Sequence, residues 1–277
     1  MYNQKKLMAA DSTMRRLINH FDHRDTLISF VQELHPERAH EPVSAIEGGL
    51  TSMTNRLHQV DIKGYARTRN ALSGAVTKLS PYLRHGLLTD RTFLAQIKEN
   101  NDADQAVRLI QQLSWRSYFH QIHSAQPHRI WQDAEPYKTG WQTDDYAQAL
   151  PDDIARGQTG IRIIDQLIDL LLTEGYLHNR ARLYLASYVV HWRQVAWQAG
   201  AQWFLQHLLD GDIASNNHSW QWVASTFSNK PYIFNLDNVR QFADSKLDVD
   251  HPSNACFDAS YEQLQWKLFP NLTPEGT

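Results

Sequence analysis

Residues 210 to 225 read DGDIASNNHSWQWVAS. Two carboxylates, two adjacent carboxamides and two indoles follow directly on the oily run WFLQHLL. Carboxylates hold cations or cap helices, and carboxamides offer donors and acceptors to a polar ring. Indoles anchor cores and interfaces. A second chemically loaded stretch is Thr77-Lys78-Leu79-Ser80-Pro81. Its hydroxyls, beside main-chain N–H groups at a helix start, suit a pyrophosphate. The same residues also read as a plain helix cap with proline in the first turn. Asp210 and Asp212 fit loop and N-cap chemistry as well, which accounts for one acid but not for the string.

Helices must position these groups. In TGIRIIDQLIDLLLTEG, from Thr159, the residues Ile164, Leu167, Ile168, Leu171 and Leu172 follow helical spacing up to a stop at Gly175. The next segment, NRARLYLASYVVHWRQVAWQAG, repeats the pattern and is expected to end at Gly200, with AQWFLQHLL as a further helix. Earlier, ADQAVRLIQQLSWRSYFHQIH places Val107, Ile110, Leu113 and Tyr118 on one broad face. Strand signals are scarce, so the fold class is all-α. PHRIWQDAEPYKTGWQTDD reads as an irregular connection, and the tail predicts a last helix with Leu264, Leu268 and Phe269 packing back. Residues 1–45 read as an N-terminal helical extension or cap, and 46–277 as the main domain.

Composition narrows the classes. The 277 residues carry a formal net charge of -3, which argues against a general polyanion binder but leaves room for a local basic groove. No long apolar run suggests a membrane span, and the first residues have no secretory core. The single cysteine, Cys256, excludes an internal disulfide and points to a reducing, cytoplasmic setting. No metal is expected, because the fourteen histidines show no ligand spacing. Rossmann, P-loop, zincin and hydrolase-elbow motifs are absent.

Four segments in order resemble the flavin-binding helical domain of the DNA photolyase/cryptochrome family. They are GYARTRNALSGAVTKLSPYLRHG, QQLSWRSYFH, TGIRIIDQLIDLLLTEGYLHNRARLYLAS and the DGD string itself. The resemblance covers roughly residues 47 to 240, and the family's N-terminal α/β antenna domain is not matched. It implies FAD as cofactor and no antenna chromophore. Tyr65, Thr77, Lys78, Leu79 and Ser80 then correspond to its phosphate and ribitol contacts, with Val76 where the family commonly has threonine. Gln112, Arg116, Asn179, Arg182, Asp210, Gly211, Asp212 and Asn216 correspond to further cofactor contacts. In that likeness Asp210 pairs with Arg182, Asp212 meets the polar edge of the isoalloxazine, and Asn216 stands opposite flavin N5. Trp220 and Trp197 match the inner and middle members of the family's electron relay. Counting along the chain puts Tyr137 at the outer position, with Trp131 and Trp141 nearby.

The same likeness implies blue-light-driven splitting of cyclobutane pyrimidine dimers in damaged DNA. Trp115 and Trp222 match the indoles that stack on a flipped lesion, and Arg116, Asn179 and Arg180 match DNA-facing positions. Gln112 departs from the pattern, since dimer photolyases have a glutamate there. Leu109 also replaces a family tryptophan. Gln112 and the negative charge keep open a flavin photoreceptor or redox sensor acting on a protein partner. A helical binding module without cofactor is the third reading, and it requires a colourless protein.

Overall fold

The computed structural model describes residues 20–100 and 103–272, without the side chains of 100, 103 and 104. Two compact units divide after Pro42. The described part of the first holds α1 (Arg24–Leu34) and a short 3-10 turn at Pro36–Arg38.

The first half of the second unit contains α2 (Leu50–His58), α3 (Ile62–Thr68), α4 (Ser80–Arg84), α5 (Asp90–Asn100) and α6 (Ala103–Ala125). Asp61 caps α3, its Oδ1 accepting from Gly64 N at 2.8 Å. Ala106, Leu109 and Leu113 form the buried stripe of α6, in one core with Met53, Leu79, Tyr82 and Phe93. That corrects the expected face: Val107 and Tyr118 are exposed. The helix has apolar residues on two sides, and contact with α3 and α5 selects the other stripe.

Beyond the short α7 (Asp152–Ala155), the second half is α8 (Arg162–Glu174), α9 (Asn179–Ser187), α10 (Trp197–His207), α11 (Ile213–Ala224), α12 (Leu236–Phe242) and α13 (Tyr261–Leu268). Helix α8 buries Ile163, Ile164, Leu167, Ile168 and Leu171, and it ends at Gly175 with φ 60°. The Thr-Gly-Asp part of its motif is architectural. Asp165 accepts from Thr159 N, Thr159 Oγ1 and Gly160 N at 2.8, 2.7 and 3.1 Å, pinning the entry to the helix.

The long helix expected through Gly200 is interrupted. After α9 the chain widens into a π-helical turn at Tyr188–Trp192, and Gln194 adopts φ 48°. Val195 then pairs with Ala147 in an isolated bridge. Helix α10 starts at Trp197 and runs straight through Gly200. That glycine is a contact point, since a Cβ there would come within 2.3 Å of the Trp220 ring. As expected, Leu264, Leu268 and Phe269 pack back, in a cluster with Trp141 and Trp192.

The irregular connection around residues 126–140 is tied down by α11 and the turn after it. Asn217 Nδ2 donates to Ile130 O at 3.0 Å, and Gln221 Oε1 accepts from Ala134 N at 2.9 Å. Ser225 Oγ accepts from Lys138 N at 2.8 Å. Thus Asn217 and Gln221, although they belong to the DGD string, are spent on the scaffold.

Candidate functional site

A cavity of about 320 Å³ opens where α4 and α6 meet α9, α10 and α11. From α6 it takes Gln112, Trp115, Arg116 and Phe119, which share one helical face at spacings i, i+3, i+4 and i+7. Ser80, Asn179 and Arg182 contribute from the starts of α4 and α9, and Asp210 and Gly211 from the loop before α11. Asp212, Asn216 and Trp220 follow from α11 and its cap. Phe204, Leu208, Leu183 and Val223 supply apolar wall.

Charge in the cavity is arranged, not merely present. Arg182 Nη2 donates to Asp210 Oδ1 and Oδ2 at 3.0 and 2.7 Å, and Nε donates to Leu177 O at 2.9 Å. One nitrogen therefore serves both carboxylate oxygens, and Nη1 is left for the cavity. Burial acts to pull the Arg182 guanidinium down, but the adjoining Asp210 carboxylate outweighs it and holds the cation charged. Asp212 caps α11, Oδ1 accepting from Ser215 N at 2.8 Å, while Oδ2 lies 2.8 Å from His120 Nε2. Burial pushes its carboxyl up; the Ser215 N–H and His120 overcome this and hold it below the usual range. Arg116 Nη1 donates to Asp90 Oδ2 at 2.9 Å.

Asn216 is oriented by its amide nitrogen. Nδ2 donates to Ala201 O and to Asn217 Oδ1, both at 3.0 Å. With both N–H groups used, Oδ1 is the end left to the cavity.

The other named residues lie elsewhere. Leu79 is fully buried in the first core, and Tyr65 packs against it, its phenol pushed up by burial. Thr77 and Lys78 are not part of the cavity lining; Thr77 Oγ1 accepts from Leu79 N at 3.3 Å, and Lys78, at φ 51°, holds Nζ 5.8 Å from the Tyr176 ring centroid. Arg180 donates from Nε to Asn70 O at 2.8 Å and stacks 3.7 Å over Phe242. Trp222, on α11, is exposed beside Tyr232. Trp197 is buried, its Nε1 donating to Asp133 Oδ1 at 2.6 Å, and Trp131 stacks on it. Tyr137 is buried against Tyr146 at 4.3 Å between centroids.

Sequence reasoning missed Tyr176 and His120. Tyr176 lines the cavity with the Arg182 cation 5.5 Å from its ring centroid, and burial pushes its phenol up to about 12. Its position inside the GYLHNR run was the available signal. His120 was signalled by spacing alone, four residues beyond Arg116 on α6.

A planar heteroaromatic ligand with polar edges fits this donor set. The walls are apolar, a fixed cation and the Asn216 carbonyl face inward, and Trp220 Nε1 is buried with no protein partner. An orphaned buried N–H of that kind costs about 1–3 kcal/mol unless something accepts from it.

The model of the FAD binding domain of DNA photolyase matches residues 109–252, just over half of the chain. The chain belongs to the photolyase/cryptochrome family. Members of that family are similar to it over only part of their length. It is 35% identical over 153 residues to a deoxyribodipyrimidine photo-lyase of Streptomyces griseus, covering 55% of this chain and 32% of that one. With a cryptochrome DASH of Gloeobacter violaceus it shares 29% identity, over 82% of this chain and 49% of the relative. Among solved structures, a class III photolyase from Agrobacterium tumefaciens superposes with a TM-score of 0.61 at 25% identity, over 77% of this chain and 45% of that one. The chain thus spans between about a third and a half of the curated relatives it matches. Its helical fold is the family's flavin-binding architecture, and the cofactor that fits is FAD. Among the described residues, no helix is long and apolar enough to cross a membrane, and no cluster of three metal-ligating side chains occurs.

Proposed function

We propose that this chain is a light-driven repair protein that splits cyclobutane pyrimidine dimers in damaged DNA. The observation that carries the reading is Trp115, 54% exposed on the wall of the cavity that Arg182, Asp210 and Asn216 also line. FAD, when bound, supplies the light-excited electron donor. Arg182 would hold the electron-rich edge of the ring, and Asp210 keeps that cation charged and oriented. Asn216 presents Oδ1, and Phe204 and Leu208 exclude water. At the mouth, Trp115 offers an indole face to an extruded base; Trp222, 43% exposed on α11, is the second stacking surface. Each such stack contributes about 1–3 kcal/mol. Gln112 donates an N–H to a lesion carbonyl but cannot transfer a proton. The test is illumination of the reduced, FAD-loaded protein with dimer-containing single- and double-stranded oligonucleotides. Loss of dimer in either is expected; unchanged dimer in both overturns the proposal.

A second reading, a flavin photoreceptor without efficient repair, is favoured by the cations. Arg116 is engaged by Asp90, and Arg180 by Asn70 O and the Phe242 ring. Phosphate contacts require both to change partners. Salt dependence separates the two, because a repair protein that neutralises phosphates binds DNA more weakly as salt rises.

A further inference from the structure

We propose that a second pocket, formed where the last turns of α6 meet α11, binds a single unpaired pyrimidine nucleotide, its base held by Gln221 and His218 and its phosphate by Arg129. The pocket has a volume of about 160 Å³ and shares no lining residue with the flavin cavity. It continues the same face of α6. Gln112, Trp115, Arg116 and Phe119 line the cavity; Ile122, His123 and Gln126 follow Phe119 at i+3, i+4 and i+7 and line the pocket. Rings fill the space between. Phe119 stacks on His218 with centroids 5.3 Å apart and planes 6° from parallel, and His218 meets Phe227 edge-on at 5.3 Å.

Gln221 is 2% exposed, yet the protein uses only half of its carboxamide. Oε1 accepts from Ala134 N at 2.9 Å and from Thr226 Oγ1 at 3.3 Å. Ala134 N can only donate, so the amide orientation is fixed, and Nε2 finds no partner among the described residues. A buried N–H so placed costs stability until something accepts from it. His218 supplies the complement. Its Nδ1 lies 2.7 Å from Ala214 O, which can only accept, so Nδ1 carries the proton. Burial pushes the imidazole down, and the neighbouring His123 acts in the same sense. The ring is therefore neutral near pH 7, and Nε2 is an acceptor. This donor and this acceptor, three residues apart on α11, match the carbonyl and N–H edge of a lactam.

Size and charge narrow the ligand further. A cavity of about 150 Å³ holds one benzene-sized ring, so a pyrimidine enters and a purine does not. Phe227, Ile122 and Ile130 supply apolar wall, and no carboxylate is present to attract a metal ion or an amine. A bare anion is a poor fit, because it would face the His218 lone pair and the carbonyl end of α6. Negative charge belongs at the rim instead. There Arg129 is exposed, and its Nη1 donates to Gln126 Oε1 at 3.0 Å, which leaves Nη2 for a phosphate oxygen.

The experiment titrates thymidine 5′-phosphate into the whole protein. Nitrogen–proton correlation spectra follow the His218 imidazole, and calorimetry reads the affinity. The His218 Nε2 resonance is expected to shift, and the nucleotide to bind more tightly than adenosine 5′-phosphate or inorganic phosphate. Arg129→Gln, at an exposed position, is expected to weaken the nucleotide about tenfold while leaving thymidine itself unaffected. His218→Phe keeps a ring between Phe119 and Phe227 but removes the acceptor, and it is expected to lose binding of both. Ala134→Leu fills the pocket, leaves the Ala134 N–H in place for Gln221, and carries the same expectation should His218→Phe fail to fold. Equal binding of adenosine 5′-phosphate, full competition by inorganic phosphate, unchanged affinity in Ala134→Leu, or no binding of millimolar nucleotide overturns the proposal. Oligothymidylate identifies the source: a shift of the same resonance assigns the site to a strand lying along α6, and a shift with the mononucleotide alone assigns it to a free nucleotide. None of these readouts needs light or dimer, so failure here is distinguishable from failure of the repair reading.

Discussion

Arg182 and Asp210 show how a single pair organises a site. Asp210 is withdrawn from water and Arg182 largely so, and the carboxylate spends its two oxygens on one guanidinium nitrogen. Removing the arginine leaves the Asp210 carboxylate buried and uncompensated, so Arg182→Ala is expected to lower stability by about 3–5 kcal/mol as well as to abolish flavin retention. Urea unfolding and the flavin-to-protein absorbance ratio read the two effects. Asn216 makes a sharper test of local chemistry. Its Nδ2 donates to Ala201 O, and a carboxylate in its place would set oxygen against oxygen at about the same separation. Asn216→Asp is therefore expected to carry a proton near neutral pH and to change the light-induced flavin spectrum, with a pH dependence the wild type lacks. An unchanged spectrum across pH would show that residue 216 does not face the reacting part of the ring. At Gln112 the prediction is a gain. Gln112→Glu supplies a transferable proton, and the yield of dimer splitting per absorbed photon is expected to rise.

Helices decide which residues can meet. The spacing of Gln112, Trp115, Arg116 and Phe119 makes one face of α6 a wall of the cavity, while the adjacent stripe of Ala106, Leu109 and Leu113 holds the core. Helix α10 has a comparable division: Trp197, Ala201 and Phe204 are buried, and Gly200 accommodates the Trp220 ring. Gly200→Ala would gain helix propensity, by about 1 kcal/mol, yet it forces a methyl into an indole. Overpacking of that kind costs about 1–3 kcal/mol, so a net loss is expected, with Trp220 displaced. Chemical denaturation and the near-ultraviolet circular dichroism of the indoles measure the two consequences. A gain in stability would mean that the ring yields easily and that the close approach is not needed.

Across the whole molecule, the second unit holds separate apolar cores, one around α3 and α6 and one around α8 to α12, and the cavity opens where the two groups meet. A buried and a half-buried histidine give the second unit a pH dependence. His191 Nε2 donates to Val223 O at 2.9 Å, and burial pushes its imidazole down to about 4; His178, the cap of α9, is also pushed down to about 4 by burial. In the unfolded chain both take up protons near pH 6.5. Protons therefore favour the unfolded state between those values: stability is full above about pH 6.5 and is lost as pH falls towards 4. Urea midpoints are expected to drop from pH 7 to pH 5, and His191→Gln, which keeps a donor for Val223 O, should make that drop smaller. A midpoint independent of pH over this range would show that the imidazoles are not held neutral.

Gly175 ends α8 as its sequence position implied, and the Leu264-Leu268-Phe269 stripe packs as its period required. Such features depend on neighbours within a few residues, so periodicity and cap chemistry disclose them. The DGD string was legible as a binding wall for the same reason: its residue types make chemical sense together and belong to a family pattern. The string does not disclose how its members are divided. Asn216 turns to the cavity while Asn217 holds a distant loop, and Asp212 caps a helix and meets His120. The break before α10, the choice of stripe on α6 and the stacking of Trp131 on Trp197 are likewise decided by partners far away in the chain. An amide, an acid or an indole carries its chemistry in its formula, but the partner that uses it is chosen only when helices distant in sequence pack together.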